Sequence, residues 1–298
     1  LGAQVEHAQA LPLPRPLDEI VELTLQIPPE WPDFGEYFYY ESKPSFRIFG
    51  LDGVEIPYQR LEQSRDQSHY RVYYRLFTKH YKRHHVRVAL PLRLPAMGYT
   101  TLTIQPPAEK RPTRHPETPA LAASDYCLEN EFLRVSVEPE GCLTLLDKRT
   151  NQEYRRLLTF EDRADIGDGW YHGEAVNDQW FTSRAARAEV ALVHNGPFMS
   201  TLRARLRLEI PARFDSSTMR RSQEFTELLV DNYITLRRGA DFLEIETRVE
   251  NTARDHRLRV LFPTGAQITH YLVDTPFDVT RRAVALHPER HLWKELEV

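Results

Sequence analysis

The chain has 298 residues, with 39 Lys+Arg against 43 Asp+Glu and a formal net charge of −4. A hydrophobic fraction of 41% with 11% aromatics excludes a disordered chain; a mean hydropathy of −0.54, with no apolar run near ~18 residues, excludes a membrane-spanning helix. The acidic balance argues against a nucleic-acid binder, which needs surplus Lys and Arg to displace phosphate counterions.

The chain opens on Leu1-Gly2-Ala3 without a Met and without anything resembling a signal peptide, as expected of a piece of something longer. Residues 1–17 read as an extended leader, because three prolines in Leu11–Leu17 bar a helix. From there the hydrophobic period is two. Val21, Leu23, Leu25 and Ile27 alternate with polar residues, and Val86, Val88, Leu90, Leu92 and Leu94 do the same, with Pro91 predicting an edge or a bend. Asp52-Gly53 predicts a hairpin between Phe46–Leu51 and Val54–Ile56. Between these rows lie His80, His84 and His85; positions i and i+4 share a face, so two of the imidazoles could share a metal, but the cations around them and the absence of a nearby carboxylate or thiol favour a solvated basic hairpin tip.

Pro106–Pro119 holds five prolines among basic residues and reads as an extended linker. The division is therefore a small β-sandwich over 18–107, a Pro-rich linker over 108–124, and a large sandwich over 125–298, too long for a minimal immunoglobulin-like unit of ~100 residues. Cys127 and Cys142 flank a hairpin turning at Glu138-Pro139-Glu140-Gly141, which would leave Cys142 opposite Val137 and Cys127 near Gln152. That separation predicts reduced thiols, as in a cytoplasmic protein.

Phe160–His172 is acidic, Gly-rich and aromatic. Carboxylates bond sugar hydroxyls and an aromatic face stacks on the pyranose C–H face, so the stretch could bind carbohydrate; it could equally be an ordinary loop with Trp170 in the core. Asp165 and Asp168 are close enough in sequence to be weighed as a glycosidase pair, though spacing alone carries little. Further on, two rows, Leu202–Ile210 and Leu243–Val249, alternate as half-buried strands. Val249–Thr264 reads as a strand, a salt-bridged turn and a basic strand, with Asp255 placed to hold His256 or an arginine. No convincing amphipathic helix exceeds two turns, and the expected class is all-β and predominantly antiparallel. There is no G-x-S-x-G, P-loop, G-x-G-x-x-G or His-x-Asp motif.

Taken in order, several stretches resemble the non-catalytic β region of family 38 glycoside hydrolases, the α-mannosidases. They are Pro95-Ala96-Met97-Gly98-Tyr99, Leu128–Val135 with Gly141–Asp147, the acidic Glu161–Asp168, and Asn251–Phe262 followed by Phe277-Asp278-Val279 and Arg281. The resemblance covers about residues 18 to 298. It implies a small β-sandwich followed by a galactose mutarotase-like supersandwich, and a parent enzyme that hydrolyses terminal α-mannosides with retention. The family's catalytic β/α barrel and helix bundle, with the aspartate nucleophile and a zinc or other divalent metal, would lie outside this chain. Trp293–Glu297 resembles the approach to a later strand.

The same resemblance implies that the acidic loop lines one wall of the sugar pocket. The usual "G-D-x-Tyr" is here Gly167-Asp168-Gly169-Trp170, with Tyr171 one place later, so Asp168, Trp170 and Tyr171 are substrate-binding candidates and no residue is a catalytic or metal candidate. The expected partners are the α-mannoside and the rest of the parent chain, with a homo-oligomer possible and neither nucleic acid nor membrane. Two alternatives stand beside this: a stand-alone carbohydrate-binding module, and a mutarotase-like epimerase using one of His172, His194, His256 or His270 against a carboxylate.

Overall fold

The computed structural model describes residues 5–10, 14–35, 42–74, 77–107, 118–168, 170–289 and 292. Residues 108–117 of the expected linker and Trp293–Glu297 lie outside them. The protein is almost entirely β, its one helical element being a single 3₁₀ turn, Ser183–Ala185, among the described residues. Two compact units form: Leu1–Leu133 with Leu192–Leu202 and Thr235–Glu244, and Arg134–Ala191 with Arg203–Ile234 and Ile245–Val298.

In the first unit, Lys79–Leu94 runs between Leu17–Ile27 and Gln59–Arg71. A second sheet orders Val5–Ala10, Tyr99–Gln105, Arg47–Phe49 and Glu55–Ile56. The alternation seen in the sequence is the burial pattern. Leu23, Leu25, Ile27, Val86, Val88 and Leu90 join Phe46, Ile48, Leu102 and Ile104 in one core. Ile20 and Ala89 pack instead with Phe198 and Met199. The predicted hairpin at Asp52-Gly53 is present, with Gly53 at φ +73°, a conformation glycine adopts without a Cβ penalty. Pro91 sits in a middle strand rather than at an edge. Its ring is tolerated because pairing to Gln59–Arg71 stops at Ala89, so Pro91 faces only Ile20.

His84, at 3% exposure, is buried inside the sheet opposite Ile27, and its Nδ1 accepts the Asp66 N–H. His85 points to His69, Nε2 to Nε2 at 2.8 Å. The three histidines of this stretch therefore do not converge; His80 alone belongs to the hairpin's outer end, across from Tyr70.

In the second unit, Leu143–Asp147 pairs with Gln152–Leu157, and Thr159–Ala164 is the middle strand between Phe181–Thr182 and His256–Leu261. Leu206, Leu208 and Ile210 are buried as predicted, while Arg203 and Arg205 on the alternate positions share Asp231 at 2.8 Å each. The turn at 138–141 forms through Glu138 N–H to Cys142 O (2.9 Å) and Gly141 N–H to Glu138 O (2.8 Å). Both cysteines are buried and unbridged, and Cys127, which belongs to the first unit, pairs with Ser124. The row ending at Val249 departs from expectation. Glu244–Glu250 closes one side of its sheet among the described residues, and its apolar alternates stay partly exposed.

Candidate functional site

Thr159–Ala164 carries three charged residues and still buries every position but Arg163. The two-residue period sends Glu161 and Asp162 to opposite faces, and each meets its own cations. Glu161 lies opposite Arg259, which bonds its Oε1, and Arg163 Nε reaches the same oxygen at 2.9 Å. Burial pushes the Glu161 carboxyl up, but the bonds and charges of Arg259 and Arg163 outweigh it and hold the group below its ordinary value.

Asp162 is bound on both oxygens. Oδ1 meets Arg221 Nη2 and Oδ2 meets His256 Nδ1, each at 2.5 Å. The other ring nitrogen, Nε2, donates to Asn251 Oδ1 at 3.0 Å. That amide oxygen also accepts the Ala253 N–H at 3.0 Å, which fixes which end of the amide faces the imidazole. Asp162, not Asp255, therefore holds His256. Asp255 contributes a left-handed turn (φ +52°) and a backbone carbonyl for the Asp165 N–H. With both nitrogens bonded and a side chain 5% exposed, His256 is built as a connector rather than as a proton-transfer group.

The acidic stretch thus splits in two. Glu161 and Asp162 are buried strand residues, whereas Asp165–Gly173 is a loop closed at its neck. Asp165 Oδ1 accepts the N–H groups of Gly167 and Gly173, both at 3.0 Å, and Oδ2 lies 3.2 Å from His172 Nδ1. Burial raises the Asp165 carboxyl, yet these donors together lower it. The Ile166 N–H donates to Gly173 O at 3.0 Å. The neck needs its glycines, since a Cβ on Gly167 would stand 2.0 Å from Tyr171 O and one on Gly173 2.4 Å from Gly167 N.

The three predicted substrate-binding residues stand together at the loop head. Asp168 Oδ1 accepts the N–H of Trp170 (2.8 Å) and of Tyr171 (3.3 Å), so it shapes the turn that presents them. Trp170 is 91% exposed and Tyr171 38%; Trp170 is not a core residue. Both Asp165 and Asp168 spend a carboxylate oxygen on backbone donors, an arrangement that shapes a loop rather than poising an acid and a nucleophile.

Sequence reasoning missed Arg221, whose side chain is 1% exposed and whose guanidinium lies 5.3 Å from the Phe181 ring centre. Nothing in Arg220-Arg221 distinguishes it from a surface pair. A cavity of ≈ 500 Å³ beside this cluster is lined by Phe160, Asp162, Phe181, Leu208, Arg207 and Glu227 among others. Arg207 and Glu227, both in its lining, pair with each other at 2.9 Å. Of the remaining histidines weighed, His194 lies 3.5 Å from Arg87 and His270 bonds Thr269.

Comparison with known proteins fits these motifs. Residues 128–295 match the family model described as "Glycosyl hydrolases family 38 C-terminal domain". A "Putative mannosylglycerate hydrolase" of Halalkalibacterium halodurans is 29% identical over 169 residues, 52% of this chain and 19% of that protein. An alpha-mannosidase from Enterococcus faecalis V583 superposes with a TM-score of 0.82 at 21% identity, covering 96% of this chain and 34% of that one. A second Enterococcus faecalis protein in glycosyl hydrolase family 38 gives 0.77 at 22% identity, covering 91% of this chain and 34% of that one. The chain thus spans about a fifth of that curated relative and about a third of those structures. The two structures share its fold, and the matched family model covers more than half its length: the chain belongs to glycosyl hydrolase family 38, as a C-terminal β region.

Proposed function

We propose that this chain is the β region of an α-mannosidase-type retaining glycosidase, made of two β domains over 18–107 and 125–298. In this reading it braces a catalytic barrel and lends the loop head at Asp168, Trp170 and Tyr171 to one wall of the sugar pocket. The observation that carries it is the loop itself: a neck locked by Asp165 and two glycines holds out an indole at 91% exposure, inside a segment that matches the family model. An exposed, pre-positioned aromatic is a poor core element and a good stacking face for a pyranose.

The chemistry belongs elsewhere in the parent. Among the described residues no three His, Cys, Asp or Glu side chains gather as metal ligands. The reading assigns the divalent metal, like the nucleophile, to the rest of the parent rather than to a residue of this chain. The mutarotase-like alternative is disfavoured, since the dyad beside the cavity, His256 and Asp162, has its polar atoms committed to one another, to Arg221 and to Asn251. Unbridged thiols support a reducing, cytoplasmic compartment; among the described residues no helix is long and apolar enough to cross a membrane.

The test is turnover of an aryl α-mannoside. The 298-residue chain is expected to be inactive, and the same chain joined to the coding sequence upstream of Leu1 is expected to be active. In the joined form, Trp170→Ala lowers kcat/KM by tenfold or more, and early-time NMR of the product shows retained anomeric configuration. Turnover by the chain alone, abolished by one substitution within it, overturns the reading. Millimolar sugar binding by the isolated chain, lost in Trp170→Ala, favours the stand-alone binding module instead.

A further inference from the structure

Strand Thr159–Ala164 sorts its charges by face. Asp162 and the facing Leu258 line the cavity. The opposite face carries Glu161 and Arg163, set across from Arg259 and Arg257, since directly paired residues share a face. Three guanidinium groups therefore meet one carboxylate on these two strands, and that carboxylate is already taken. Glu161 Oε1 receives both Arg259 and Arg163.

Arg257 is left over. It stands opposite Arg163 and two residues from Arg259, half-buried, and makes no hydrogen bond or ion pair among the described residues. Asp165 acts on it through charge alone, because its oxygens are spent on Gly167, Gly173 and His172. Burial, with Arg259 and Arg163 alongside, pulls the Arg257 guanidinium below its ordinary value despite Asp165 and Glu161. Like charges directly opposite destabilise an antiparallel pair. The fold thus holds a cation here that costs stability and finds no partner among the described residues.

An indole completes the row. Trp180 leads into Phe181–Thr182, which flanks the middle strand on the side away from Arg257, and the Arg163 guanidinium lies 3.3 Å from its ring centre. The ring is held on one face while the residue stays 62% exposed. From Trp180 to Arg257 is two strand spacings, roughly 10 Å, which a sugar ring with one charged substituent covers.

We propose that this face is a binding site for an anionic saccharide, a pyranose bearing a carboxylate or a phosphate. Trp180 stacks on the pyranose C–H face. Arg257 takes the anion, whose paired oxygens match the fork of a guanidinium. The ligand supplies the counter-charge that Arg257 lacks. The site uses none of Asp168, Trp170 and Tyr171, and it stands or falls independently of the pocket reading.

The test is titration calorimetry of the purified chain with mannose 6-phosphate, glucuronate, mannose and inorganic phosphate, with Arg257→Gln and Trp180→Ala as variants. At least one of the two anionic sugars is expected to bind tenfold or more tighter than mannose or inorganic phosphate, each of which offers half of the contacts. Arg257→Gln should weaken that sugar tenfold or more. Without ligand it should leave the thermal midpoint unchanged or raise it, because repulsion is relieved, whereas loss of a structural arginine lowers it. Trp180→Ala should weaken the anionic sugar and leave inorganic phosphate unaffected. Absence of binding by both anionic sugars at millimolar concentrations overturns the proposal. So does inorganic phosphate that binds as tightly as the anionic sugars, undiminished binding by Arg257→Gln, or a lowered midpoint in that variant.

Discussion

The Asp162 carboxylate and the Arg221 guanidinium meet at 2.5 Å with side chains 2% and 1% exposed. A pair so fully desolvated contributes little over an apolar pair of the same shape, but removing Arg221 leaves the buried carboxylate with His256 as its remaining partner, and breaking a buried pair in this way costs up to about 3–5 kcal/mol. Arg221→Met is therefore expected to lower the urea midpoint by far more than a surface arginine substitution. The double variant Arg221→Met/Asp162→Leu is expected to lose less than the sum of the two single losses, as a double-mutant cycle by urea unfolding would read.

Acid should loosen the second unit in a defined window. Glu161 and Asp165 both have folded-state values depressed below their ordinary ones, 4.5 and 3.8. A depressed carboxyl contributes stability that is fully present above its unfolded value and is lost as pH falls through the folded one. The thermal midpoint should hold steady from pH 7 to about 5 and fall progressively below ~4.5. Glu161→Gln should start lower and show a shallower fall; a parallel curve would mean that Glu161 contributes nothing to the slope.

The neck of the exposed loop makes a local prediction. Gly167→Ala places a Cβ 2.0 Å from a backbone oxygen, which no side chain can yield to. A loss of about 1–3 kcal/mol is expected from overpacking of this kind. Trp170 fluorescence and backbone amide exchange at residues 165–173 should both report the neck opening. Gly53→Ala, at φ +73° with open space around it, should cost about 1 kcal/mol without touching the loop.

The thiols are expected to be silent. Burial, with Glu140 and Glu138 nearby, pushes Cys142 up to about 12, and the thiolate is the reactive form. Folded protein at pH 8 should release almost no chromophore from a disulfide reagent, and the unfolded chain should release two equivalents, one for each cysteine in the sequence. Prompt reaction of Cys142 in the folded state would contradict its burial.

Much of the fold can be read from the residues alone, and the reason is periodicity. Leu23, Leu25 and Ile27, like Leu206, Leu208 and Ile210, alternate because one face of each strand is wet and the other dry, and a two-residue repeat needs no partner to be visible. The turns at Gly53 and Gly141 are visible for a similar reason: both sit at positive φ, where glycine alone is at ease. The family motifs also have local physics. Asn130 of the Glu-Asn pair accepts the N–H groups of Phe132 and Leu133 and donates to the carbonyls of Arg237 and Ala240, at 2.7–2.9 Å.

Other features exist only through tertiary structure. The acidic stretch reads as one loop because charge usually marks solvent. Its first half lies in a buried strand because Arg221, His256 and Arg259, 59 or more residues away in sequence, neutralise it. The same distance hides Asp162 as the partner of His256, where the sequence offers its neighbour Asp255. Pro91 reads as an edge because a missing N–H usually requires one, while the sheet supplies a partner strand that stops two residues short. By itself the sequence determined the strand faces, the turns and the family, which depend on spacing along the chain. Which charges are buried, which indole stands free and which histidines meet depended on contacts across it, and those the fold decided.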